Sequence, residues 1–332
     1  MRLLILGGTV FLGRCLVEAA LERGHAVTLF HRGITNADLF PEVEKLHGDR
    51  DGQLDTLYGR DWDAVIDTSG YVPRIVRQSA TWLRNTVDRY AFISSISVYA
   101  DFSAAGMTED SPLGAMEHEE TEDISAFYGP LKAMCEQEVQ QAFGNRALII
   151  RPGLLVGPND PTDRFTYWVH RFAEGGRILV PGSADRRIQF IDVRDLADWT
   201  MAMLEGKVGG VFNATGPAHP LTMGEFVATL EQAIPAAGKA VWVDESFLLQ
   251  KSVGEWNELP LWIAEKTNWP GFLTVNVTRA IHQGLSFRPV AATVLDTLSW
   301  DGRQKRDRKW RAGMTRDREA ELLSEWERQA GR

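Results

Sequence analysis

Along the first 150 residues, short apolar runs alternate with segments whose apolar positions recur every three to four residues. Residues 3–6 (LLIL) are apolar throughout, and 26–30, 45–47, 64–67, 90–94 and 147–151 form similar short β-rich runs. Runs of this length, bounded by turn residues, predict strands buried on both faces. Between them, Leu12, Leu16, Ala19 and Ala20 mark one face of a helix that stops at Gly24, and helical spacing returns over about 74–83 and 125–143. Strands alternating with helices predict a parallel sheet covered on both sides, the doubly wound α/β fold.

After Pro152 the pattern changes. Glycine and proline become frequent (Gly153, Gly157, Pro158, Pro161), and seven of the eleven tryptophans lie beyond residue 240. This predicts a smaller, discontinuous α+β substrate module over the carboxyl ends of the strands. The expected division is 1–156 plus about 186–215 for dinucleotide binding, and 157–185 plus 216–332 for substrate.

Composition narrows the class. The chain has 332 residues, 44% hydrophobic and 24% charged, with a net charge of −9. No apolar run approaches the roughly 18 residues of a membrane span. Gly7 and Gly8 interrupt the first run too early for a signal-peptide core, so a cytoplasmic protein with no membrane partner is expected. Cys15 and Cys135 fall on apolar helix positions and read as core residues. The seven histidines lack HxxxH or HExxH spacing, so no metal site is expected. The acidic balance disfavours nucleic acid as a partner. A basic stretch at 303–318, which includes Trp310, is either a solvated arm or a local exception. The acidic run 117–123 (EHEETED) reads as a solvated loop or as the rim of a pocket.

The first strand leads directly into GGTVFLG. Gly7 permits a tight turn, and Gly13 lets the following helix pack on the sheet. The free N–H groups of Thr9, Val10, Phe11 and Leu12 at the helix start suit a pyrophosphate. The second strand ends in His31 and Arg32, where an acidic residue would hold the ribose hydroxyls of NAD. An arginine pairs with a 2′-phosphate instead, which tilts the cofactor expectation from NAD toward NADP. Asp49, after the third strand, either meets the adenine amino group or simply forms a turn.

Tyr128 and Lys132 stand four apart in YGPLK and share one helix face. Leu131, Cys135, Val139 and Ala142 form a neighbouring stripe that anchors the helix. Ser125 is the expected N-cap, leaving Pro130 in a newly begun helix. A nearby ammonium favours phenolate, which makes Tyr128 usable as an acid/base. Ser95 follows the strand at 90–94 and is placed to bond a substrate oxygen.

These motifs, with FISSISVYA (92–100), RPGLLVGP (151–158), DVRDLA (192–197) and GLSFRPV (284–290), resemble the extended short-chain dehydrogenase/reductase superfamily in its epimerase/dehydratase-like branch. The resemblance covers most of the chain. It implies a Rossmann fold and hydride transfer between a nicotinamide and a carbinol carbon. It also implies that Ser95 orients substrate, Tyr128 moves the proton and Lys132 lowers the pKa of Tyr128. Thr68, Ser69 and Gly70 would lie beside the cofactor, and Pro152 and Gly153 would line the nicotinamide. A homodimer through the helix at 125–143 is common among relatives. In two places the chain departs from that pattern. Val10 replaces the middle glycine of the turn, as in an atypical subgroup that includes plastid RNA-binding relatives. Ile188 stands where nucleotide-sugar enzymes carry an arginine, with Arg187 as the substitute. Ser97 and Arg187 are the substrate-side candidates. Trp256, Trp262 and Trp269 are core residues or a platform for a ring. The expected function is an NAD(P)-dependent oxidoreductase or epimerase acting on a sugar-like small molecule. The alternative is a non-enzymatic cofactor-sensing or RNA-binding protein on the same fold. Ser95 is followed by Ile96 and Ser97, not an acidic pair, so dehydration is the least expected reaction.

Overall fold

The computed structural model describes residues 1–332 apart from 117–120, 306, 330 and 332, so part of the acidic run at 117–123 lies outside the described residues. The elements of the first half are β1 (Arg2–Leu6), α1 (Phe11–Glu22), β2 (Ala26–His31), β3 (Glu44–His47), β4 (Trp62–Asp67), α2 (Pro73–Leu83), β5 (Val87–Ile93), α3 (Ile124–Phe143) and β6 (Ala147–Pro152). They are followed by β7 (Leu154–Val156), α4 (Thr166–Ala173), β8 (Arg177–Pro181), β9 (Arg187–Ile188), β10 (Phe190–Asp192), α5 (Val193–Glu205) and β11 (Gly210–Ala214). The remainder comprises β12 (Leu221–Thr222), α6 (Met223–Ala233), β13 (Lys239–Val243), α7 (Glu245–Gln250), α8 (Thr278–His282), α9 (Val290–Asp301) and α10 (Arg316–Gln329).

Seven strands form one parallel sheet in the order β11-β6-β5-β4-β1-β2-β3. Its strands are buried on both faces because α1 and α5 cover one side and α2 and α3 the other. This is the doubly wound arrangement the sequence pattern predicts. Register aligns the strand ends: Leu6 lies beside both Phe30 and Asp67, Asp67 beside Phe92, and Ile93 beside Ile150. The loops after β1, β2, β4, β5 and β6 therefore open onto one edge, with the topological switch between β1 and β4.

Two local expectations change. β5 stops at Ile93, and Ser94 begins the loop. Asp123, not Ser125, caps α3: its carboxylate accepts from the N–H groups of Ser125 and Ala126 and from the Ser125 hydroxyl. A carboxylate is the stronger acceptor at a helix N-terminus. The helix is kinked at Phe127 (φ −125°, ψ 31°). It restarts at Tyr128, so Pro130 falls in the first turn, where its missing N–H breaks no helical bond.

A second apolar core contains residues from Val156 to Leu323, built on Trp168, Trp262, Phe165, Phe172 and Phe226. The pairs β8–β13, β9–β12 and β7–β10 frame it. Trp262 is buried core, Trp256 is partly buried and Trp269 is half exposed. No helix among the described residues is long and apolar enough to cross a membrane, and no group of three potential metal-ligating side chains gathers among them.

Candidate active site

The turn after β1 is tightly packed. Gly7 has φ 109°, and a Cβ there would lie 2.5 Å from the Thr68 hydroxyl oxygen. A Cβ on Gly13 would stand 2.8 Å from the Gly8 backbone, which holds the start of α1 against the turn. Val10 precedes the helix with extended φ/ψ (−131°, 135°). A β-branched residue adopts this conformation freely, so the turn does not need a glycine there. No side chain caps α1, which leaves its first N–H groups to the cleft.

Two cavities run along this edge. One, of about 570 Å³, is lined by Gly7, Thr9, Val10, Phe11, Leu12 and Gly13, by Thr68 and Ser69, by Ser95, Tyr128 and Lys132, and by Pro152 and Gly153. The other, of about 340 Å³, is lined by Phe30, His31, Arg32, Asp49, Arg50 and Ser69. Gly7, Thr9, Val10, Ser69 and Tyr71 line both. The cleft fits an elongated dinucleotide. Its middle is lined by the backbone of the glycine turn, and the Nε2 of His31, on the smaller cavity, is buried with no hydrogen-bond partner among the described residues. The Nδ1 of His31 accepts from the Gly33 N–H, which in the neutral ring leaves the proton on Nε2. Burial, then His47 and Lys45, hold the imidazole below its usual pKa. Arg32 is exposed and makes no ion pair among the described residues. Asp49 serves a turn, accepting from the Asp51 N–H, while lining the smaller cavity. Gly70 closes the loop after β4, with its carbonyl turned to Lys132.

The reactive end is positioned by close packing. A Cβ on Gly129 would lie 2.0 Å from the Ser97 carbonyl oxygen. This glycine lets α3 touch the 3-10 turn Ile96–Val98 and brings Tyr128 next to Ser95. The Ser95 hydroxyl accepts from the Ser97 N–H at 3.1 Å. Burial pushes the Tyr128 phenol above its usual pKa, the neighbouring Tyr71 adds to this, and Ser95 works against it. Lys132 is 2% exposed. Its ammonium donates to the carbonyls of Gly70 and Ile93, each at 2.6 Å, and lies over the Phe92 ring at 4.2 Å. Burial pulls its pKa down to about 8. Arg187 is exposed at β9, between two smaller cavities of the second region, away from Ser95 and Tyr128 in the cavity linings.

Two buried charge networks escape a reading of the sequence motifs. Ser94 donates to Glu136 at 2.5 Å, and Glu136 pairs with Arg151 at 2.7 Å. Arg151 reaches the Tyr99 hydroxyl, which donates to Asn213. At the switch point, Arg50 holds Asp67 through two 2.7 Å bonds and also bonds Ser69 and Ser79. The signal for both was a charged residue closing an apolar strand, Arg151 after 147–150 and Asp67 after 64–66. Glu136 also stands one turn beyond Lys132. Arg50 lies on a loop and gave no signal.

The profile of the NAD dependent epimerase/dehydratase family matches residues 3–215, the sheet and both cavity linings almost entirely. The chain belongs to that family. It is an enzyme of the short-chain dehydrogenase/reductase type, of the NAD-dependent epimerase or oxidoreductase class. Family relatives point in different directions. The chain is 27% identical over 236 residues to the chloroplast stem-loop binding protein of 41 kDa b of Arabidopsis thaliana, covering 66% of this chain but 59% of that protein. It is 28% identical over 280 residues to a 2-alkyl-3-oxoalkanoate reductase of Stenotrophomonas maltophilia, covering 73% and 78%. In fold it resembles the UDP-glucuronic acid 4-epimerase of Bacillus cereus, solved in complex with NAD, with a TM-score of 0.63 at 16% identity over 90% of this chain and 98% of that one.

Proposed function

We propose that the chain catalyses reversible hydride transfer at a carbinol carbon of a hydroxylated, sugar-like small molecule, as an NAD(P)-dependent oxidoreductase or epimerase. The observation that carries this reading is the convergence of Ser95, Tyr128 and Lys132 on the cavity that also holds the glycine turn. Gly7 to Gly13, Thr68 to Gly70, Pro152 and Gly153 would hold the dinucleotide, and His31, Arg32 and Asp49 its adenosine end. A bound nicotinamide supplies the hydride acceptor or donor. Ser95, with Ser97 beside it, orients the substrate oxygen. Tyr128 takes the hydroxyl proton on oxidation and returns it on reduction. Burial keeps this phenol protonated at neutral pH, opposite to the lowering expected from Lys132, so its role as base on oxidation would need the Lys132 charge to favour the phenolate once the site is filled. Lys132 supplies positive charge nearby and keeps one N–H for the ligand once two are bonded to carbonyls.

The free Arg32 guanidinium supports NADP over NAD, since the fork meets a 2′-phosphate bidentately. Arg187, which makes no ion pair among the described residues, is the candidate at β9 for an anionic substrate group; Arg186 is occupied by Glu245. A homodimer through α3 completes the reading, to be tested by sedimentation. The reaction is tested by assaying the purified chain, with its retained cofactor identified, against nucleoside-diphosphate sugars, free sugars and 3-oxoalkanoates. Accumulating reduced or oxidised cofactor marks a dehydrogenase or reductase; turnover without net cofactor change marks an epimerase. Tyr128→Phe turning over an identified substrate at the wild-type rate would remove the catalytic assignment.

The chloroplast relative favours a second reading, RNA stem-loop binding. Against it stand the net charge of −9 and the pairing of three arginines of the basic stretch: Arg308 with Asp163 and Asp301, Arg316 with Glu319, and Arg318 with Glu258 and Glu321. Filter binding of a stem-loop RNA across a salt series decides it, and absence of salt-dependent binding at low ionic strength ends this reading.

A further inference from the structure

Tyr71 has no part in the proposed reaction, yet its place is unusual. It follows Gly70, whose carbonyl holds Lys132. Its ring lies 5.2 Å from the Lys132 ammonium and 6.4 Å from the Tyr128 ring centre. It is 42% exposed between firmly held neighbours. A Cβ on Gly70 would meet the Phe92 ring at 2.5 Å, Val72 is buried, and Pro73 opens α2. The Tyr71 hydroxyl makes no hydrogen bond among the described residues, and the ring stands where the two cavities of the cleft meet.

We propose that Tyr71 is a positioning residue: its ring screens one side of the Lys132 ammonium from water, leaving the third N–H to the cleft, and closes the waist of the cleft over the bound dinucleotide. The ammonium has three N–H groups. Gly70 and Ile93 take two, Phe92 lies against the cation within the fold, and Tyr71 shields it from water. A charged group kept dry in this way loses its proton more readily. The other charged and titratable groups around it are Asp67 from β4, Arg50 from the loop after β3, and Cys135, Glu136 and Tyr128 from α3. Changing Tyr71 leaves all of these side chains in place; of them, Tyr128 is the one whose pKa Tyr71 helps to raise. The cofactor half of the proposal rests on the dinucleotide reading above; the cover over Lys132 does not.

The test compares the full chain with Tyr71→Ala, Tyr71→Leu and Tyr71→Phe. Without cofactor, the Lys132 side-chain nitrogen is titrated by NMR of ¹⁵N-lysine protein, its signal identified by its loss in Lys132→Met. Release of NADH and NADPH is followed by stopped-flow fluorescence. Removing the ring should raise the Lys132 midpoint by about one pH unit and speed cofactor release about fivefold. Tyr71→Phe keeps the ring and should match wild type in both. An unchanged Lys132 midpoint in Tyr71→Ala and Tyr71→Leu overturns the cover, as does a Tyr71→Phe that behaves like Tyr71→Ala. If neither NADH nor NADPH binds wild type, the dinucleotide reading and the closing role both fall, while the titration still decides the cover.

Discussion

At the carboxyl edge of the sheet, buried charge borders an opening; around Arg171 and Arg308 in the back half, it is sealed. Lys132, Arg50 and Asp67 sit at or beside strand ends, and their partners include loop carbonyls and hydroxyls that line the cleft. In the second core, Arg171 is closed by Glu319 at 2.7 Å and by the carbonyls of Gly175 and Arg177, and both side chains are almost wholly buried. Arg308 likewise bonds Asp163 and Asp301 and lies 3.8 Å over Trp310. Both arrangements satisfy desolvated ions. Only the first leaves donors and acceptors beside a cavity. The first arrangement lines the proposed site; the second ties distant parts of its own chain together.

The sharpest break of this comparison is at Tyr128. Tyr128→Phe should lower turnover by roughly 10²- to 10⁴-fold while leaving cofactor affinity, read by fluorescence titration, nearly unchanged. Next come the two buried ion pairs, which should part company. Glu136→Gln and Glu319→Gln should each cost about 3–5 kcal/mol in denaturant unfolding. For the protein that stays folded, turnover should fall with Glu136→Gln, because Ser94 and Arg151 lose their anchor, and hold with Glu319→Gln. Equal effects on turnover would erase the distinction between the halves.

Arg32→Ser should shift the ratio of NADPH to NADH affinity about tenfold toward NADH, measured as paired dissociation constants. The smallest effect is a pH dependence. Burial pulls the Lys132 pKa down to about 8 in the folded chain, from 10.5 for the free side chain. The unfolded chain therefore binds more protons between these values, so this lysine makes stability rise with pH across that window. Cofactor affinity should move the other way, weakening as pH passes about 8 and the ammonium is lost. Both trends should vanish in Lys132→Met.

Much of the first half was legible because its determinants are local. A run such as Leu3–Leu6 can be little else than a buried strand, and a turn needing positive φ at Gly7 requires glycine. The helix holding Tyr128 and Lys132 was legible too, although its cap was misplaced by two residues: Asp123 and Ser125 both suit the role, and only the chain path decides which carboxylate or hydroxyl meets the free N–H groups. The charged partners were not legible. Arg151 bonds a carbonyl 42 residues away in sequence, and Arg171 bonds a carboxylate 148 residues away. No periodicity encodes such distances. Gly129 could be seen only as a residue that weakens a helix until its contact with Ser97 gave it a purpose.

By itself, then, the sequence determined the parallel sheet, the glycine turn and the helical spacing of Tyr128 and Lys132, because each follows from backbone sterics and burial within a few residues. The tertiary structure decided what those residues face. It placed the Lys132 ammonium between two carbonyls and two rings, left Arg32 beside the smaller cavity with no ion pair among the described residues, and bound Arg308, Arg316 and Arg318 of the basic stretch to carboxylates. Desolvation and pairing depend on elements far apart in the chain, and they separate a site from a surface.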